Sequence, residues 1–170
     1  DAITRDPDIV LMDLPDDLRA AIDTKLPPRW SRNNPVDCAG GEVRDTTPAE
    51  MALNAEHPDV DAMIYLGIGI QSNQARMMRE GRFYPDHGLE RIVAYHQRQD
   101  ERFAEAAHEL SVATGKPILV ATELAVADPD NAGPATVRRL GRLCYPSGGQ
   151  AVTALGHLIR YASFREAHHR

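Results

Sequence analysis

Two short, nearly all-apolar runs constrain this chain more than anything else in it. Residues 60–66 hold one polar side chain, Asp61, and Ile118-Leu119-Val120-Ala121 hold none. Runs this short, without alternation, read as strands buried on both faces. Strands of that kind are parallel and need helices to cover them. The sequence between them supplies a helix, expected over about 87–114. There Leu89, Ile92, Val93, His96, Phe103, Ala107 and Leu110 recur near a 3.6-residue period. Gly115 is placed to end that helix, with Lys116-Pro117 following.

The same alternation runs through the rest of the chain. Ile9-Val10-Leu11-Met12 reads as a short buried strand. Pro15-Asp16-Asp17 opens a helix to about Lys25, with acids at its positive end, and Pro27-Pro28 stops it. Residues 28–45 form a long irregular loop containing Asn33-Asn34-Pro35 and Gly40-Gly41. Thr47 and Glu50 have the spacing of a capping box, opening a helix that ends near His57-Pro58. A helix is expected from Ile70 to about Met78, before Gly81 and Pro85 break the pattern. After a turn over 128–133, the pattern predicts a short helix over 134–141 and a fourth strand at Leu143-Cys144-Tyr145. Ser147 and Gln150 then open a last helix that buries Val152, Leu155, Ile159 and Ala162. About four strands separated by helices predict an α/β fold: a mainly parallel sheet between two helical layers.

Composition removes several functional classes. The chain has 170 residues, 42% hydrophobic and 26% charged, with no apolar run long enough to span a membrane. Residues 1–61 carry a net −8, residues 62–132 a net −3, and residues 133–170 a net +5. The acidic first part argues against nucleic acid as the main partner, which needs a coherent basic face. The basic tail (Arg138, Arg139, Arg142, Arg160, Arg165, Arg170) reads as solvated helix faces. Cys38 and Cys144 stand far apart with no neighbouring ligand pattern, so no zinc module is expected. They read as free thiols of a reducing, cytoplasmic compartment. The seven histidines form no metal or triad motif; Ser147 reads as a cap, and Cys38 lacks an evident base. No catalytic residue and no metal ligand is therefore expected in this chain.

In parallel sheets ligands bind beyond the carboxyl ends of the strands. That rule selects Gly67, Ile68, Gly69, Ile70, Gln71 and Ser72, a glycine turn that feeds a helix. Its backbone N–H groups are placed to receive an anion. The pattern is short of the full GxGxxG fingerprint, so a plain tight turn remains open. A second loop, with Asn34, Asp37, Gly40 and Gly41, belongs to the same sheet end.

Several stretches carry a family resemblance. Leu26-Pro27-Pro28-Arg29-Trp30-Ser31 is followed by Asn34-Pro35-Val36-Asp37; His57-Pro58-Asp59-Val60-Asp61-Ala62 precedes the second apolar run. Gly115-Lys116-Pro117-Ile118-Leu119-Val120 and Gln150-Ala151-Val152-Thr153-Ala154-Leu155, with Arg160-Tyr161, come later. In order and spacing, over about residues 10–165, the chain resembles the last flavodoxin-like ligase domain of NDP-forming acyl-CoA synthetases. That family includes the ADP-forming acetate–CoA ligases and is related to succinyl-CoA synthetase.

The resemblance implies a reversible reaction: acyl-CoA, ADP and phosphate give the acid, CoA and ATP. An acyl phosphate forms, then a phosphohistidine that carries the phosphoryl group to an ATP-grasp domain. The turn from Gly67 to Ser72 matches a helix N-terminus aimed at that phosphate, and the loop from Asp37 to Gly41 matches its neighbour. The whole enzyme uses CoA, ATP or ADP, and Mg; this chain alone is expected to bind none of them and to be inactive. The CoA-binding, phosphohistidine and ATP-grasp domains are its implied partners, and self-association into a homo-oligomer is also open. The segment 77–87 and the long helix after it exceed the family's usual pattern. The competing reading is a flavodoxin-like interaction or regulatory module without catalysis.

The resemblance also bears on the start, Asp1. The chain reads as one ligase-like domain over 1–170, cut from a longer multidomain protein, whose first, interior family strand is missing. Either another segment is expected in that place, or the remaining strands have closed the gap.

Overall fold

The computed structural model describes residues 2–38 and 45–168. Its sheet has three parallel strands, β1 (Met63–Leu66), β2 (Ile118–Ala121) and β3 (Cys144–Tyr145), in that spatial order. Met63 stands opposite Ile118 and Leu66 opposite Ala121; Val120 stands opposite Cys144. The helices are α1 (Asp16–Asp23), α2 (Thr46–Glu56), α3 (Ile70–Arg79), α4 (Leu89–Thr114), α5 (Leu124–Ala127), α6 (Ala132–Arg139) and α7 (Gly148–His168). A single 3-10 turn, Ile3–Arg5, precedes them.

β2 is buried at all four positions and sorts its side chains by the two-residue period of a strand. Ile118 and Val120 join Met51, Ala55, Phe103, Ala104, Ala107 and Val137, contributed by α2, α4 and α6. Leu119 and Ala121 face the other way, against Ala151 and Leu155 of α7. Helices thus cover both faces of an open parallel sheet, the arrangement of a flavodoxin-like α/β fold. A third cluster, Leu14, Leu18, Ile22, Leu26, Trp30 and Val60, seats α1 beside it. Gly115, at φ +70°, ends α4 as its sequence position required.

Several local expectations are corrected. Residues 9–12 are not a strand. Ile9 packs on the Leu119–Leu155 cluster and Met12 on the Trp30 cluster, so the run bridges two cores instead of joining a ladder, and Val10 is left 85% exposed. The sheet therefore has three strands where about four were expected. The predicted gap is neither filled nor closed, since no described residue pairs with the outer edge of β1.

The capping box at Thr47 does not form. α2 begins one residue earlier, and the Thr47 hydroxyl is buried without a partner. α6 starts at Ala132, where the Asn131 side chain accepts from the Gly133 N–H; the expected start was Pro134. At α7 half the predicted box is present, with the Gln150 N–H donating to Ser147 Oγ at 3.3 Å. Val152 and Leu155 are buried there, but Ala162 lies on an exposed stretch.

Candidate functional site

The turn after β1 is shaped by glycine. Gly67 and Gly69 sit at φ +86° and +96°, a region that side-chain-bearing residues avoid. Gly69 is then fixed from two sides. Its N–H donates to Asp100 Oδ1 of α4 at 3.0 Å, and its carbonyl accepts from Asn131 Nδ2 at 3.0 Å. Asn131 Oδ1 in turn accepts from the Gly133 N–H, so one side chain caps α6 and holds the turn. The second Asp100 oxygen accepts the Ser72 N–H at 2.6 Å.

A Cβ on Gly69 would lie 2.6 Å from Asn131 Oδ1 and 2.9 Å from Leu124 Cδ1. Gly69→Ala is therefore expected to cost about 2–4 kcal/mol, from the left-handed backbone and the clash together. Urea unfolding measures this directly, and a midpoint equal to wild type would show that the turn relaxes freely.

The six residues of the predicted anion turn thus divide. Ile68 is fully buried in the core and presents nothing. Gly69 and Ser72 spend their N–H groups on Asp100. Gly67, Ile70 and Gln71 border a cavity of about 420 Å³. The N–H groups of Ile70 and Gln71, in the first turn of the ten-residue α3, have no partner among the described residues. Asn34 and Asp37 border the same cavity, so the structure brings the two predicted loops together. Asn34 is anchored there by donating to the Met12 carbonyl at 3.1 Å. Gly40 and Gly41 lie outside the described residues.

Four further polar residues line the cavity: Thr47, Glu50, Asn54 and Asp100. Asn54 donates to Glu50 Oε1 at 2.5 Å, within α2. Burial pushes the Glu50 carboxyl up to about 7. Burial also raises Asp100, against the opposing pull of its bonds from Ser72 and Gly69 and of nearby His96. His96 itself meets Gln71, its Nδ1 lying 2.5 Å from Gln71 Oε1, so it joins α4 to α3. The cavity wall holds three carboxylates, Asp37, Glu50 and Asp100, and no Lys or Arg among its described residues.

A signal for the missed residues is present in the sequence. Asp100 lies seven residues after Val93 and three before Phe103, on the buried stripe of α4. Glu50 falls between Thr47 and Asn54 on the buried face of α2. A carboxylate on an apolar stripe must be satisfied or functional.

No curated protein and no solved structure matches the chain. No described helix is long and apolar enough to cross a membrane. A family model does match: the Ligase-CoA domain, over residues 1–72. That span takes in α1, α2 and β1 and ends at Ser72, in the first turn of α3. Residues 1–72 belong to a CoA-ligase-type domain, whose family context is the NDP-forming acyl-CoA synthetases.

Proposed function

We propose that this chain is the ligase component of an NDP-forming acid–CoA ligase and that it receives a phosphohistidine carried in by a neighbouring domain. The observation that carries this reading is the pair of unused N–H groups, Ile70 and Gln71, at a helix N-terminus that opens on a cavity. Such donors and the aligned helix dipole stabilise a transferring phosphoryl group without reorganising. The carboxylates refine the reading. They repel free phosphate, so the cavity favours a phosphoryl group held on a carrier with a hydrogen-bond donor, as an imidazole has. The buried Thr47 hydroxyl, which lacks a partner, adds a further group for such a carrier to meet.

On this reading the whole assembly uses CoA, ADP or ATP and Mg, while this chain supplies positioning and no catalytic side chain. The CoA-binding, phosphohistidine and ATP-grasp domains belong to the same protein or a partner subunit. Neither Cys38 nor Cys144 is bridged, which suits a cytoplasmic assembly.

The test is acyl-CoA-dependent ATP formation by the complete assembly, with and without this chain. ATP is expected only when the chain is present, and none from the chain alone. The capture of two turn donors by Asp100 favours one rival, a module that has lost transfer. ATP formation indifferent to the chain, or the absence of the partner domains from protein and operon, would decide for that rival.

A further inference from the structure

The same cavity runs along all four residues of β1. The Met63 N–H donates to the Pro117 carbonyl, and the Gly67 N–H to that of Ala121, so the odd-numbered residues of β1 face β2. By the alternation of a parallel ladder, the N–H and C=O groups of Ile64 and Leu66 point to the opposite edge. No described residue pairs with them. Residues 34–38 border the cavity too, so this edge looks into a bounded groove. Leu66 and Ile70 at its upper end are 54% and 52% exposed.

We propose that this groove takes up one extended segment of polypeptide, apolar at alternate positions and carrying a Lys or Arg side chain. Alternating donors and acceptors along a strand edge are satisfied by another strand. A bounded groove suits a single segment better than the edge of a second sheet. The cationic side chain follows from the wall, where Glu50 has only Asn54 as its partner and no described lysine or arginine is near. The segment lies along β1 and leaves the Ile70 and Gln71 N–H groups, beyond the strand's end, open.

The probe is the peptide acetyl-Val-Ile-Lys-Val-Ile-Val-amide, added to the full chain, with amide hydrogen exchange read residue by residue. Exchange at Ile64 and Leu66 is expected to slow about tenfold or more, while Tyr65, already facing β2, stays unchanged. The same peptide N-methylated at alternate residues should give no protection. A Glu-for-Lys peptide should bind more weakly, and Glu50→Gln should remove that preference. Three results would overturn the proposal: no protection at millimolar peptide, protection of both amides before peptide is added, or protection that grows with protein concentration alone. The last would assign the edge to a second copy of the chain.

Discussion

Asp100→Ala is expected to lower stability by about 3–5 kcal/mol. Asp100 is 1% exposed and accepts the N–H groups of Gly69 and Ser72. Truncation strands two buried donors, each costing about 1–3 kcal/mol when left without a partner. No water is near enough to replace the carboxylate, because the site lies between α3, α4 and the turn. A loss of that size is a large fraction of the roughly 5–15 kcal/mol that holds an ordinary domain together. Asp100→Asn should cost about half as much, since its one oxygen still accepts while its NH₂ faces a second donor. Urea denaturation of both variants measures the difference. An alanine variant as stable as wild type would mean that Asp100 does not hold the turn.

The second large effect is on pH dependence. Glu50 is 8% exposed and titrates near 7 in the folded chain, against 4.5 for the free group. Between those values the folded state holds a proton that the unfolded state has lost. Stability from this group is complete below about pH 4.5 and falls as pH rises through 7, by about 3 kcal/mol in all. Asp100, also raised by burial, adds to the fall in the same direction. Glu50→Gln keeps the oxygen that accepts from Asn54 and removes the charge. The variant should match wild type near pH 4.5 and exceed it by about 2–3 kcal/mol at pH 8, with a shallower profile throughout. Parallel profiles for the two proteins would show that Glu50 is solvated as an ordinary carboxylate.

Much of the architecture was legible because it rests on local periodicity. β2 has no polar residue to mislead, and the stripe from Val93 to Ala107 fixes α4 on the sheet. The position of the turn was legible too, since a strand that ends in Gly67-Ile68-Gly69 must be followed by a helix or a loop. What the turn does with its hydrogen bonds was not, because the answer comes from Asp100 and Asn131, far away in sequence. Ile9 to Met12 failed for a related reason. Its apolar content is real, but it serves two separate clusters, and only the tertiary arrangement shows that. Thr47 and Glu50 have the spacing of a capping box, yet a one-residue shift in the start of α2 turns both into buried side chains of the cavity wall.

The role of Gly69 changes how the central claim is tested. A substitution there disturbs Asn131, Leu124 and the turn at once, so lost activity would not separate phosphoryl binding from misfolding. Gln71→Glu does separate them. Gln71 borders the cavity in the first turn of α3, where a carboxylate suits the helix dipole and remains within reach of His96. The account predicts that the complete assembly carrying Gln71→Glu keeps its Tm or gains slightly, while acyl-CoA-dependent ATP formation falls at least about tenfold from repulsion of the phosphoryl group. Wild-type ATP formation by a variant with unchanged Tm would contradict the claim that this helix end receives the phosphohistidine.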